Sequence, residues 1–354
     1  MPDQSAIRTA LSDYKDPETG RPLGQDQIRD IELTGTSLTV TVGLATYVAP
    51  LWEDAQAEIA ALLRQKFADL SSVTVRIAPH QRPALPQGPL GLTVKSVIAV
   101  GSGKGGVGKS TIAASIALGL AQAGCEVGLM DADVYGPSIP HLFGVKTMPE
   151  PQGGRLQPVE TAGLKLMSMG FLVPPGEAVV WRGPMLHKSI QQFLGGVSWG
   201  ELDYLIVDMP PGTGDVAISL SQSVPLTGAV VVCTPQDVAL IDAVKAIAMF
   251  GKVNIPILGI VENMSYFVCP DNGKRYDIFG HGGAQRKAQE LHVPFLGEVP
   301  INMQLRINGD AGETAKNFDV VDSAPYLRHI CYRLVKNLSE QHRAAPPLPK
   351  LSIL

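Results

Sequence analysis

Residues 101–111 read GSGKGGVGKST, and what that stretch can be decides the rest. Five glycines in eleven residues cost a helix or strand interior too much conformational entropy, so the segment is a loop. It follows the apolar run SVIAV and contains G-x-x-x-x-G-K-S from Gly103 to Ser110. That spacing predicts a phosphate-binding loop between a strand and a helix. Gly103, Gly105, Gly106 and Gly108, with Val107 among them, let backbone N–H groups turn inward onto phosphate oxygens. Lys109 reaches the outer phosphates, and Ser110, followed by Thr111, offers a hydroxyl to Mg²⁺. The helix that follows points its positive dipole end at the same anion.

Outward from the loop, apolar strand runs alternate with amphipathic helices from Val94 onward, which predicts an α/β fold with a mostly parallel sheet covered on both faces. The strands expected are SVIAV, EVGLMD, LKLMSM, YLIVD, GAVVVCT, ILGIVEN and FLGEV. Helices are expected after Gly108 and around residues 185–194, 215–222, 236–250, 283–291 and 323–338. Before it, residues 1–79 read as a small α+β unit. Leu38, Val40, Val42 and Leu44 alternate with Thr39, Thr41 and Gly43, as in a half-buried strand. A helical period then runs through LWEDAQAEIAALLRQKFADL, and VTVRI closes the unit as a short strand. The segment 80–93, HQRPALPQGPLGLT, has the composition of a surface linker. The nucleotide domain is expected over 94–340, and 341–354 forms a proline-rich tail.

Composition excludes several classes. Lys+Arg 29 against Asp+Glu 33 gives a net charge of −4, which offers no general attraction to nucleic acid or to an anionic membrane. No basic-then-apolar leader opens the sequence, and no run reaches the roughly 18 apolar residues of a span. Four scattered cysteines, Cys125, Cys233, Cys269 and Cys331, make no disulfide framework, so a reducing, cytoplasmic setting is expected.

Acidic residues close the apolar runs, where ligands bind in open α/β sheets. Asp131 and Asp133 end the second strand in LMDADVYGPS, Asp208 ends YLIVD, and PPGTGD ends at Asp215. With the extra lysine, Lys104, the loop matches the deviant Walker A signature of the MinD, ParA and nitrogenase-iron-protein class. That resemblance implies a homodimer in which Lys104 reaches the partner's nucleotide and neutralises charge on the transferring phosphoryl group, as an arginine finger does. It implies that Asp133 orients or deprotonates the attacking water and that Asp208 holds a water on Mg²⁺. Asp131, Gly212, Gly214 and Asp215 form the switch that senses the γ phosphate. Asn263, ending ILGIVEN, stands where the class places an asparagine against the base. NMSY lacks the aspartate that reads guanine, so ATP is the expected nucleotide.

The combination of GSGKGGVGKST, DADVYGPSIPHLFG, WRGPM, DYLIVDMPPGTGD, TPQDVAL, ENMSYFVCP and IFGHGG resembles the Mrp/ApbC-type iron–sulfur cluster carrier ATPases. DYKDPETG and the hairpin after it resemble the small SufT-like assembly domain fused to many of them. The resemblance implies a slow ATPase that binds a [4Fe–4S] cluster between two subunits and passes it between an assembly scaffold and apo iron–sulfur proteins. Alternatives are a MinD/ParA-like switch or an assembly adaptor that holds no cluster. Two chains each giving Cys-x-x-Cys would supply four thiolates. Here Cys269 stands at the first cysteine position and Asn272 at the second, and Ala49-Pro50 replaces the Cys-Pro of the small domain. Two Cys269 thiols meeting across a dimer axis would leave two ligand places for Asp271, small thiols or a partner, and carboxylate is the poorer ligand. Cys125, Cys233 and Cys331 read as structural. Arg182 in WRGPM and the glycines of IFGHGG read first as turn residues.

Overall fold

The computed structural model describes residues 2–172, 183–212 and 214–344. Its contacts divide into two units, residues 1–82 with 335–354, and residues 83–334. The expected Arg182 turn and most of the proline-rich tail lie outside the described residues.

In the small unit, α1 (Gln4–Leu11) is capped by the Asp3 carboxylate, which accepts from the Ala6 N–H at 2.7 Å. β1 (Ile28–Thr34) and β2 (Ser37–Leu44) form an antiparallel hairpin. The helix α2 (Trp52–Lys66) crosses over, and β3 (Ser72–Pro79) returns parallel to β2. Leu38, Val40, Val42 and Leu44 are all buried, on the face that their period-two spacing selects, while α1 packs on β1 and α2 on β3. Asp16 of the DPETG stretch is buried beside this sheet. Its Oδ1 accepts from the N–H groups of Glu18 and Thr19 at 2.8 and 3.1 Å, and its Oδ2 from Gln27 at 2.6 Å and Arg82 at 3.2 Å.

The large unit opens with β4 (Pro86–Gln87), which turns back antiparallel on β5 (Leu92–Gly101), so the expected linker ends as part of the sheet. The chain continues through α3 (Lys109–Gln122), β6 (Val127–Asp131) and the short α4 (Ile139–Leu142). A small ribbon of β7 (Pro151–Gln152) and β8 (Arg155–Leu156) precedes β9 (Val159–Thr161) and β10 (Leu164–Ser168). Then come α5 (Gly183–Gly195), β11 (Leu202–Asp208), α6 (Gly214–Ser223), β12 (Gly228–Cys233), α7 (Asp237–Lys252) and β13 (Ile257–Val268). β14 (Arg275–Tyr276), α8 (Gly283–Glu290), β15 (Phe295–Ile301), α9 (Met303–Asp310) and the first part of α10 (Ala324–Ala344), up to Leu334, complete it.

Among the described residues the sheet runs β14-β13-β12-β5-β11-β6-β10-β9, with β15 on β13. The pairs from β10 through β6, β11, β5 and β12 to β13 are all parallel. Every residue of β6, β11 and β12 is buried, which follows from helices on both faces. β5 lies between β11 and β12, so its carboxyl end opens at the middle of the sheet.

The last helix runs six residues past the expected 338. Its end is held inside the small unit, where Ser339 Oγ donates to the Pro17 carbonyl at 2.6 Å and His342 stacks on Tyr47. Those tertiary contacts extend a helix that amphipathic spacing alone would have ended.

Candidate nucleotide site

The loop from Ser102 to Gly108 joins β5 to α3, as the G-x-x-x-x-G-K-S spacing requires. Two glycines have explicit reasons. A Cβ on Gly103 would overlap the Asp242 backbone of α7, so only glycine lets the loop lie on that helix. Gly108 is left-handed at φ +80° and sits against the Asn263 amide, where a side chain would clash. The cavity over the loop, about 310 Å³, is lined by the glycines 105, 106 and 108, by Lys104, Lys109, Ser110 and Thr111, and across the gap by Asp133, Ser138 and Pro211.

Lys109 is 6% exposed, and its Nζ lies 2.6 Å from Asp208 Oδ1, 3.1 Å from Ser110 Oγ and 3.4 Å from Asp133 Oδ2. Side chains drawn from a span of nearly a hundred positions thus meet just past the end of β6, at the end of β11 and at the start of α3. Burial pushes the Asp208 carboxyl up, while the Lys109 ammonium and the Ser110 hydroxyl pull it back. Its Oδ2 is buried and without a hydrogen-bond partner among the described residues. Lys104 also lines the cavity, and among the described residues no carboxylate lies within ion-pair distance of it.

Asp131 and Asp133 divide the work of shaping the loop after β6. Asp131 Oδ1 accepts from the Asp133 N–H at 3.1 Å, and its Oδ2 from the Ile139 N–H at 3.2 Å and Ser168 Oγ at 2.9 Å. Burial, then the neighbouring Asp208 charge, push its carboxyl well above the usual range. Asp133 Oδ1 accepts from the N–H groups of Tyr135 and Gly136, both at 3.2 Å, leaving Oδ2 turned to Lys109. The Gly212 N–H donates to the Ser102 carbonyl at 3.1 Å, so the segment after β11 is hinged on the phosphate loop. Thr213 and the Asp215 side chain lie outside the described residues, and Gly214 opens α6.

Asn263 is the residue the sequence reading placed least completely. Its Nδ2 donates to the Val107 carbonyl at 2.8 Å, so this N–H is spent on the loop itself rather than turned outward toward a base. The expected strand ILGIVEN ends at Asn263, whereas β13 runs on to Val268, and the choice of partner is long-range and has no period.

Cys269 follows β13 and is half-buried, whereas Cys125, Cys233 and Cys331 are buried. Burial pushes the Cys233 and Cys331 thiols up to about 12, which removes their nucleophilicity. The Cys269 N–H donates to the Lys274 carbonyl at 2.9 Å, and the Asn272 Oδ1 accepts from the Lys274 N–H at 2.9 Å. Asn272 therefore builds the β13–β14 turn with its side chain, a job open to Asn and Asp but not to Cys. Glu262, His281 and Glu298 also converge near this hairpin. Glu262 is held by the N–H groups of Gly282 and Ala284, and the Arg275 guanidinium lies 2.5 Å from His281 Nδ1, so the cluster carries its own cation.

A strand–glycine loop–helix with a buried lysine on two strand-end carboxylates defines a P-loop NTPase. Residues 93–335 match the NUBPL iron-transfer P-loop NTPase family, and residues 4–77 match the iron–sulfur cluster assembly protein family. The chain belongs to the NUBPL iron-transfer P-loop NTPase family. It is 48% identical to an iron–sulfur cluster carrier protein of Deinococcus radiodurans over 317 residues, 88% of either chain. To the Escherichia coli K12 carrier it is 52% identical over 221 residues, 62% of this chain and 60% of that one. Among solved structures, an ADP-bound nucleotide-binding protein from Archaeoglobus fulgidus is 43% identical with a TM-score of 0.58, covering 65% of this chain and 90% of its own. The cell-division ATPase MinD of Pyrococcus furiosus, 20% identical with a TM-score of 0.51 over 68% of this chain and 98% of its own, shares the fold.

Proposed function

We propose that the chain is an ATP-hydrolysing iron–sulfur cluster carrier that works as a homodimer in the cytoplasm. The observation that carries the nucleotide part is the buried Lys109 set between Asp208 and Asp133 under a backbone cradle. Phosphates enter between the loop N–H groups and Lys109, and Asp133 Oδ2 is the acceptor that orients a water for in-line attack. The unpartnered Asp208 Oδ2 and the Ser110 hydroxyl fit Mg²⁺, Ser110 directly and Asp208 through water. When bound, the ion neutralises phosphate charge. Lys104 of each chain serves the other chain's nucleotide. Gly212, Gly214 and Asp215, with Asp131 bracing the facing loop, form the switch.

The cargo is an iron–sulfur cluster of the [4Fe–4S] kind. The names of the relatives support this reading, and Cys269, one half-buried thiol per chain, supplies the ligand. Asn272 favours a second reading, an ATPase adaptor that holds no cluster, because its side chain is committed to the turn. Anaerobic reconstitution with iron and sulfide decides between them. Visible absorption from thiolate-to-iron charge transfer should appear in the wild type and fall in Cys269→Ala. Equal absorption in both proteins, or none in either, rejects Cys269 as a ligand. Separately, Lys109→Ala should abolish ATP turnover, and unchanged hydrolysis refutes the phosphate-loop assignment.

A further inference from the structure

Between the phosphate-loop contact and Cys269 the chain runs along β13, from Asn263 to Val268, and every residue from 263 to 269 is tied to something. Asn263 Nδ2 holds the Val107 carbonyl, and the Met264 Cε lies 3.7 Å from where a Cβ on Gly108 would stand. Ser265 Oγ donates to the Val299 carbonyl at 3.3 Å, and the Tyr266 and Tyr326 hydroxyls are 2.6 Å apart. Phe267 and Val268 pair with Tyr276 and Arg275, and Cys269 closes on Lys274.

Two features make this run a transmitter rather than a spacer. The peptide between Val107 and Gly108 is planar and trans, so its C=O and N–H point opposite ways. With the carbonyl fastened to Asn263, the Gly108 N–H is turned away from Asn263, and Gly108 lines the cavity. One residue later Met264 takes φ +55°, a left-handed conformation that a methionine keeps only where its surroundings over-determine it. The β13–β15 register shifts between Asn263 and Phe267. The backbone is thus bent and out of register beside the loop contact, and β13 then continues to Val268, next to the cysteine; residues 263–269 span at most about 20 Å.

We propose that Asn263 is a positioning residue that aims the Gly108 N–H at a phosphate and, through the bent Met264, couples occupancy of the loop to the exposure of Cys269. A bound phosphate draws on the Gly108 N–H, the same peptide draws on Asn263, and the strand shifts the hairpin that carries the thiol. The inference rests on the nucleotide reading above and adds to it a direction of coupling.

The test uses the full chain, with N-ethylmaleimide labelling of Cys269 followed by peptide mass spectrometry, with and without Mg·ADP, and calorimetry to report ADP binding. In the wild type, saturating Mg·ADP should change the Cys269 rate about fivefold or more, the low end of ordinary coupling between sites. Asn263→Asp keeps the shape and replaces the donor with an acceptor. It should weaken ADP roughly ten- to a hundredfold and, at ADP concentrations that saturate it, leave the Cys269 rate unresponsive. A wild type that binds ADP with an unchanged Cys269 rate overturns the coupling and leaves the nucleotide reading standing. So does an Asn263→Asp protein that keeps the full response. A wild type that binds no ADP overturns both. The wild type also supplies an arm that no misfolded variant can spoil. With Cys269 already capped its ADP affinity should differ from that of the uncapped protein, and equal affinities count against the coupling.

Discussion

Asp16 shows how much one carboxylate can hold. Burial alone would raise its pKa, but Arg82 and the hydrogen bonds from Gln27 and Thr19 overcome that and hold it below the usual carboxylate range. A depressed folded value means that Asp16 stabilises the fold at pH above its unfolded value of about 4 and loses that contribution as pH falls through the folded value. Thermal melts between neutral and acid pH should therefore show a downward step for the wild type that is absent from Asp16→Asn. The variant should already be weaker at neutral pH by about 3 kcal/mol, the order expected when one partner of a buried pair is removed. A flat wild-type profile would contradict the assignment. At Gly103 the expectation is of another kind. Gly103→Ala should disturb the loop where it lies on Asp242, so ADP binding by calorimetry should fall well before overall helicity does.

Elements were the most readable level. All seven expected strands are present, because parallel strands buried on both faces leave unbroken apolar runs that a helix cannot imitate at that length. Leu38 to Leu44 were readable for the opposite reason, a period of two over one covered face. Leu38→Ala should therefore lower the chemical-denaturation midpoint of the small unit, as a cost of about 3 kcal/mol implies, whereas Thr39→Ala on the other face should move it little. Less was legible where side chains bond to backbone. Asp3 and Asn302 cap α1 and α9, both too short for periodicity to announce. The end of α10 was hidden because contacts with Pro17 and Tyr47, about three hundred residues away in sequence, extend it. In the candidate site, the loop and its acidic partners were legible from strand ends. The hold of Asn263 on Val107 was not, since a single side-chain bond leaves no pattern. Asn272 was legible in part, for Asp-Asn-Gly is a turn signal that a search for a second cysteine passes over.

At the scale of the whole molecule, the proposal that Lys104 acts across a dimer makes a prediction that no single chain can satisfy. Lys104→Ala and Lys109→Ala should each be inactive alone, the first still binding nucleotide. Mixing them should restore part of the ATP turnover, because the mixed pair has one site with its own Lys109 and its partner's Lys104. Failure to complement would place Lys104 in its own chain's site. No helix among the described residues is long and apolar enough to cross a membrane.

The hairpin turn beside Cys269 also sets how this protein ages. Asparagine followed by glycine is the pairing most open to attack of the following backbone nitrogen on the side-chain amide, and such asparagines are among the thermally labile residues of proteins. At Asn272 both reactants are occupied: the side-chain oxygen accepts from Lys274, and the Gly273 N–H is held by the Cys269 carbonyl at 2.8 Å. A folded turn therefore suppresses deamidation, and any event that opens it starts a chemical clock that writes a new negative charge three residues from the thiol.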